Sequence, residues 1–228
     1  MTHYKEFFSR LDSAIEQYGC DRNLFYSVFI ERQLNQAQLQ FFADQYFYYI
    51  RTFPQILAGL AHRVDSEETR FHLARTIVSE LGEGRSGKMH FQLFEKAIGP
   101  LGVRLSDWHG TQHVPEAEAL VGGIRALFID GPVIGALGGH YTIEKTGLPM
   151  IFALYEGIRK YPGVSVESLE YFYLHLVLEA DHVTWIERAL EPYLADADNR
   201  AVIESGAVRI SQLLAGFWDG LHSRLNFD

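Results

Sequence analysis

Apolar residues recur along the chain at spacings of three and four, and strand-type alternation of apolar and polar positions is scarce. This spacing places apolar side chains on one face of an α-helix, so the sequence predicts an all-α protein. Turn-forming segments such as Asp130-Gly131-Pro132 separate the apolar runs. We expect helices at about residues 3–18, 23–32, 35–60, 65–82, 87–99, 115–129, 132–159, 165–192 and 197–224.

Two prolines interrupt this pattern, and nothing in the sequence divides the chain into parts. Pro54 and Pro149 fall inside predicted helices, where a kink or a break is expected at each. No internal repeat, low-complexity linker or charge block marks a boundary. The 228 residues are therefore expected to form one domain, residues 1–228, with a large core built from the 47% of hydrophobic residues.

Composition restricts the class of partner. A net charge of −9 with only 20 Lys and Arg residues argues against nucleic-acid binding. No apolar stretch approaches the roughly 20 residues of a membrane span, and the first residues, MTHYKEFFSRL, do not resemble a signal peptide. The single cysteine, Cys20, excludes an internal disulfide and is expected to be inert. These features indicate a cytoplasmic protein without a membrane or nucleic-acid partner, and a homodimer stays possible.

The segment HLVLEADH, residues 175–182, places histidines and acids in an otherwise apolar helix. Buried charges are normally paired or bound to a metal, because an isolated one is costly to desolvate. His175, Glu179 and His182 are separated by four and three residues, so they share one helix face. Imidazole and carboxylate suit iron, manganese or zinc, and the lack of thiolates argues against a structural zinc site.

Acids from other helices are needed to complete such a site, and two segments offer them. In ELGEGRSGKMH, Glu83 and His90 are two helical turns apart, a span that two neighbouring ions fit better than one. In GGHYTIEKTG, Glu144 is an acid in an apolar turn. A set of three carboxylates and three histidines favours a dinuclear iron centre over a single zinc, because a bridging carboxylate neutralises two close cations.

The order Glu-x6-His, mid-chain Glu and His-x3-acid-x2-His resembles the haem-oxygenase-like diiron oxidases. It is most similar to the branch named after the chlamydial protein associating with death domains. Residues 24–57, YEGIRKYPG at 155–163 and EYFYLHLVLEADH at 170–182 also resemble that branch. The resemblance implies a bundle of about seven to nine helices that holds two iron ions and uses dioxygen as a co-substrate. It also implies six metal ligands: Glu83, His90, Glu144, His175, Glu179 and His182.

The chain departs from this pattern at several positions. The acid of the last motif is usually Asp, whereas here it is Glu179. Members that make p-aminobenzoate are thought to consume one of their own tyrosines, helped by a second tyrosine and a lysine. Tyr26 falls at the first of these positions, but Phe42 and Leu154 fall at the other two. A small external substrate is therefore expected instead.

Other residues have a structural and a functional interpretation. The aromatic segment QFFADQYFYYI, residues 40–50, is expected to be core, with tyrosines lining a cavity as the alternative. Tyr26 and Tyr46 are predicted to lie next to the metal ligands without binding the metal themselves. His140 is expected to be structural, and His109 and His113 are expected to be exposed to solvent.

The function favoured by these observations is that of a non-haem diiron oxidase or oxygenase. The resemblance implies oxidation of an amino acid, an amine or a fatty acid by N-oxygenation, desaturation or carbon–carbon cleavage, and the sequence does not choose among these. One alternative is a cofactorless oxidase or thiaminase-like enzyme of the same fold. The thiaminase type needs a cysteine nucleophile deep in the chain, and Cys20 lies too near its start. Another is a helical interaction protein whose buried polar residues only specify packing.

Overall fold

Helices account for all regular structure that the computed structural model describes, which comprises residues 4–105 and 110–225 apart from the side chain of Glu179. The nine α-helices are α1 Lys5–Glu16, α2 Leu24–Glu31, α3 Gln36–Arg63, α4 Glu67–Glu80, α5 His90–Ile98, α6 Pro115–Arg125, α7 Val133–Ile158, α8 Glu170–Leu190 and α9 Ala197–Arg224. A π-helical segment, Ala126–Asp130, follows α6 and brings the number to ten, slightly above the predicted range. No strand occurs in these residues, so the all-α prediction is confirmed.

Local sequence explains several helix ends. Asn35 and Gln38 form a reciprocal capping box at the start of α3, and the Ser66 hydroxyl accepts a hydrogen bond from the first turn of α4. Pro54 and Pro149 lie inside α3 and α7, and neither breaks its helix. Tertiary packing therefore outweighs the lost backbone hydrogen bonds at both prolines.

Helix α7 lies at the centre of the bundle and packs most extensively on α9 and α8. Its backbone touches α9 directly, since a Cβ at Gly138 would lie 2.0 Å from the carbonyl oxygen of Ile203. Only glycine permits so close an approach. Helices α3, α4 and α5 pack around α8 and α7 on the other side, so acids and histidines from α4, α5, α7 and α8 meet inside the bundle.

None of the described helices is both long enough and apolar enough to cross a bilayer.

Candidate metal centre

Glu80, His90 and His175 converge inside the bundle. They are the last residue of α4, the first residue of α5 and a residue in the second turn of α8. One potential ligand atom from each side chain lies within 4.8 Å of the other two. All three side chains are buried, and the ring centroids of the two histidines are 4.3 Å apart. Two imidazoles and one carboxylate in this arrangement form a donor set suited to iron.

The protonation of His175 leaves one nitrogen free to bind a cation. Its Nδ1–H donates to the carbonyl oxygen of Tyr171 at 2.7 Å, so the lone pair of Nε2 faces away from this contact. Burial lowers the pKa of His175 to about 3, and the neighbouring His90 adds to the effect. The ring is therefore neutral at physiological pH, which is the form that ligates metals.

His90 lacks the hydrogen bonds that buried polar groups normally make, and it lies beside the carboxylate of Glu80. Neither ring nitrogen of His90 has a hydrogen-bond partner of good geometry among the described residues, although Nδ1 lies 2.9 Å from Oε2 of Glu80. Burial alone would raise the pKa of Glu80, but the imidazoles of His90 and His175 outweigh it and hold the pKa below its usual value. An ionised acid beside unsatisfied nitrogens is an arrangement that a bound cation would stabilise.

Glu144 on α7 organises a second group. Its Oε1 accepts a hydrogen bond from Nε2 of His140 at 2.7 Å, and its Oε2 accepts one from Nδ1 of His182 at 3.1 Å. The other nitrogen of His182, Nε2, accepts a hydrogen bond from the Ser79 hydroxyl, and the Nε2–Oγ distance is 3.0 Å. Burial would raise the pKa of Glu144, but His182 and the hydrogen bond from His140 hold it well below its usual value. Glu144 is thus a buried carboxylate held by two imidazoles.

Both groups line one internal cavity of about 40 Å³, through Glu80, His90, Glu144 and His175. The rest of the wall is mainly aromatic and aliphatic and includes Tyr46, Tyr49, Phe53, Met150, Ile151 and Tyr171. A volume of this size admits a few water molecules or a diatomic gas. The cavity can therefore hold dioxygen beside the candidate ligands, but it is too small for an amino acid or a fatty acid.

Tyr46 lies at this cavity, whereas Tyr26 does not. The hydroxyl groups of Tyr46 and Tyr171 are 2.8 Å apart, and the Tyr171 ring lies 4.3 Å from that of His175. Tyr26 is buried elsewhere, with its hydroxyl donating to the carbonyl oxygen of Cys20 at 2.9 Å. The aromatic segment 40–50 thus supplies both core and cavity wall.

Cys20 itself is buried, and burial raises the pKa of its thiol to about 11, with Asp21 adding to the effect. A thiol with such a pKa stays protonated at neutral pH and is a poor nucleophile. This position gives no support to a thiaminase-like reaction through Cys20.

The structure does not bring Glu83 to this centre. Glu83 lies in the turn after α4 with a φ of +53°, its side chain is 56% exposed, and its Oε2 is 2.8 Å from Arg85. Gly82 and Gly84 on either side also have positive φ, so the chain reverses between α4 and α5. The expected two-turn alignment of Glu83 with His90 therefore does not form, and Glu80 takes the place beside His90.

The remaining predicted positions are distributed as follows. His182 joins the centre through its hydrogen bond to Glu144. Glu179 belongs to α8, but the side chain of Glu179 lies outside the described residues, so its role as a ligand stays a prediction. His109 is also outside the described residues. His113 is half-buried rather than exposed and stacks on Tyr48 with a centroid distance of 3.9 Å.

Sequence reasoning missed four contributors to the centre. Helix α4 ends before a glycine-rich turn, and this end could have directed attention to Glu80. Of the other three, Ser79 meets His182 through a tertiary contact, whereas His140 and Tyr171 lie four residues from their partners Glu144 and His175 on the same helices. These contributors are Glu80, Ser79, His140 as a partner of Glu144, and Tyr171.

Comparison with known proteins places the chain in a family. A family model described as iron-containing redox enzyme matches residues 40–215. The 4-aminobenzoate synthase of Chlamydia pneumoniae is 26% identical over 217 residues, which cover 95% of this chain and 93% of that protein. The 4-aminobenzoate synthase of Nitrosomonas europaea is 23% identical, with 95% and 91% of the two chains covered.

Solved structures show the same fold at lower identity. A CADD-like protein of unknown function from Nostoc punctiforme superposes with a TM-score of 0.79 at 19% identity, over 96% of this chain and 98% of that one. A TenA homologue from Pseudomonas syringae gives a TM-score of 0.74 at 14% identity, over 96% and 92%. A Shewanella denitrificans domain with a heme oxygenase-like fold gives 0.64 at 17% identity, over 98% and 94%. The bundle therefore has the haem-oxygenase-like fold.

Proposed function

The chain belongs to the family of iron-containing redox enzymes, and we propose that it is a non-haem diiron oxidase or oxygenase acting on a small external molecule. The observation that carries this proposal is the convergence of Glu80, His90, His175 and Glu144 on one buried cavity. A cytoplasmic location and a small molecule as partner belong to the same proposal.

The described side chains form one three-ligand group, and we infer that Glu144 and His182 supply ligands for a second iron ion. Glu80, His90 and the free Nε2 of His175 would hold the first, without breaking any hydrogen bond that the described side chains make to one another. Glu144 and His182 would hold the second, with Glu179 as a further predicted ligand. A carboxylate has about four lone-pair positions, so Glu144 can contact a cation while it accepts bonds from two imidazoles.

When bound, two ferrous ions would supply the electrons that reduce dioxygen and so oxidise the substrate. The protein's own part is to hold and isolate the site. The apolar wall around Phe53 and Ile151 keeps bulk water out, and the small cavity admits dioxygen. His140 and His182 each donate a hydrogen bond from a ring N–H to Glu144, and these two bonds fix the orientation of its carboxylate.

Three side chains support an external substrate over a tyrosine of the protein itself. Phe42 and Leu154, at the positions where the resemblance implies a tyrosine and a lysine, are buried and carry no polar group. The hydroxyl of Tyr26 is bonded to a backbone carbonyl away from the cavity wall. The 4-aminobenzoate synthases are thus relatives of this chain, and the product of its own reaction need not be theirs.

Iron stoichiometry tests this proposal. Metal-free protein supplied anaerobically with Fe(II) should bind about two irons per chain, measured by elemental analysis after removal of free metal. His175→Ala and His182→Ala should each lose at least about one of them. His113→Ala, which removes a histidine outside the centre, should keep the parental content. Parental iron content in both site variants would show that these histidines are structural.

A further inference from the structure

A surface groove between α4 and α8 lies directly behind the metal centre. Its volume is about 380 Å³. Six of the side chains that line it are those of Phe71, Arg75, Val78, Ser79, Glu83 and Trp185. We call it the α4–α8 groove. The internal cavity, at about 40 Å³, is too small for an organic substrate, whereas the groove falls within the range of small-molecule sites.

The groove and the metal centre are separated by one side chain. Ser79 lines the groove, and its hydroxyl donates to Nε2 of His182 at 3.0 Å. His182 in turn contacts Glu144, which lines the internal cavity. A molecule bound in the groove would therefore lie next to a predicted ligand of the second iron.

Arg75 gives the groove a positive charge that no described acid neutralises. Its guanidinium lies 4.2 Å from the centroid of the Trp185 ring and 5.9 Å from that of Phe71. No ion pair joins Arg75 to an acid among the described side chains. The acid of the groove, Glu83, is engaged by Arg85 at 2.8 Å. A guanidinium stacked on an aromatic ring and free of an acid is suited to bind a carboxylate through two parallel hydrogen bonds.

The walls of the groove are suited to an apolar group. Phe71 and Val78 are 59% and 54% exposed, although side chains of this type are usually covered. Trp185 on the facing helix adds an aromatic surface. A ligand with an apolar body would cover these side chains while its charged end meets Arg75.

We propose that the α4–α8 groove binds a small carboxylic acid with an aliphatic or aromatic body, whose carboxylate is held by Arg75, as a ligand that lies next to Ser79 and His182. Any effect of this acid on the metal centre rests on the proposed function, but binding in the groove does not require iron. The site can therefore be tested on metal-free protein, separately from the iron stoichiometry.

The test is an NMR titration of metal-free protein with 4-phenylbutyrate and, for comparison, with the uncharged 4-phenylbutanol. The chain has three tryptophans, and the indole N–H signal that disappears in Trp185→Phe identifies Trp185. We expect the acid to shift this signal saturably and to bind about tenfold more tightly than the alcohol. Arg75→Gln should weaken binding of the acid about tenfold, as expected for a lost charge-assisted hydrogen bond, and leave binding of the alcohol unchanged.

Arg209→Gln, an exposed arginine on α9, serves as the matched control and should bind the acid like the parent. Equal affinity for acid and alcohol, no saturable shift of the Trp185 signal, or no effect of Arg75→Gln would overturn the proposal. Arg75→Gln should also bind iron like the parent. A groove that behaves as expected in a protein that takes up no iron would contradict the proposed function and leave a carboxylate site unconnected with oxidation.

Discussion

Two groups of buried side chains meet at the same cavity, yet they differ in how completely their polar atoms are satisfied. We call the first the open group, formed by Glu80, His90 and His175. In it, both ring nitrogens of His90 lack a well-formed hydrogen bond. We call the second the closed group, formed by Ser79, His140, Glu144 and His182. In it, both oxygens of the carboxylate and both nitrogens of His182 are bonded, and Nδ1 of His140 is the one ring nitrogen without a partner among the described side chains.

The difference indicates an order of metal binding. A cation entering the open group binds nitrogen and oxygen lone pairs, and the lone pair of His90 otherwise stays buried without a well-formed hydrogen bond, which costs free energy. A cation entering the closed group must first displace a hydrogen bond of His182, either the one from Ser79 or the one to Glu144. We therefore expect the first iron in the open group and the second, with lower affinity, in the closed group.

The largest expected effect is a difference in iron affinity between a variant at Glu80 and one at Glu83. Glu80→Gln should weaken binding of the first iron by more than about 100-fold, beyond the range for residues that only support a ligand. Glu83→Gln removes the same charge three residues away, at an exposed position, and should change the affinity less than about twofold. Anaerobic equilibrium dialysis against Fe(II) measures both. The reverse result would mean that the turn after α4 rearranges to bring Glu83 inward when metal binds.

Prediction from the sequence agrees with the structure at His175 and His182 and differs from it at Glu83. Helix periodicity placed His175 and His182 on one buried face, and their burial agrees with that prediction. The same reasoning selected Glu83, because it treated the stretch up to His90 as one helical register. The chain instead reverses at Gly82, where a Cβ would lie 2.5 Å from the backbone of Lys88. A backbone reversal of that kind depends on packing that periodicity does not describe.

The closed group was beyond prediction for a different reason. Ser79 and His182 are 103 positions apart, so their hydrogen bond depends on how α4 packs on α8. His140 and Glu144 are four residues apart on α7, a spacing that does predict contact. Only the structure assigns the ring of His140 to the carboxylate, since a buried histidine in an apolar helix is equally compatible with simple packing.

The second prediction concerns pH and the open group. The pKa of His175 falls from 6.5 to about 3 on folding, because of burial first and His90 second. Below pH 6.5 the unfolded chain binds a proton that the native state does not, so stability falls as the pH falls from about 6.5 towards 3. When the pH falls from 7.5 to 5.5, the imidazole of His175 should lower the free energy of unfolding of the metal-free protein by about 1.4 kcal/mol.

Urea unfolding of the parent and of His175→Gln at both pH values measures this effect. The variant should lose less stability between pH 7.5 and 5.5 than the parent, by about the same 1.4 kcal/mol. His72 and His113, whose pKa values burial also lowers, contribute equally in both proteins and cancel. Equal losses in the two proteins would show that His175 is protonated in the native state.

The smallest expected effect concerns the hydrogen bond from Ser79 to His182 in the closed group. Ser79→Ala removes the hydroxyl that donates to Nε2 of His182 and should lower the stability of the metal-free protein by about 1 kcal/mol. Since iron no longer has to displace this hydroxyl from His182, the second iron should bind about fivefold more tightly, which is the same free energy expressed as an affinity.

Ser211→Ala is the control, because Ser211 is a buried serine on α9 whose hydroxyl donates to the carbonyl oxygen of Ala207 at 2.9 Å. It should lower stability and leave iron binding unchanged. Parental affinity for the second iron in Ser79→Ala would mean that His182 binds metal through Nδ1, in which case Glu144, and not Ser79, is the partner that gives way.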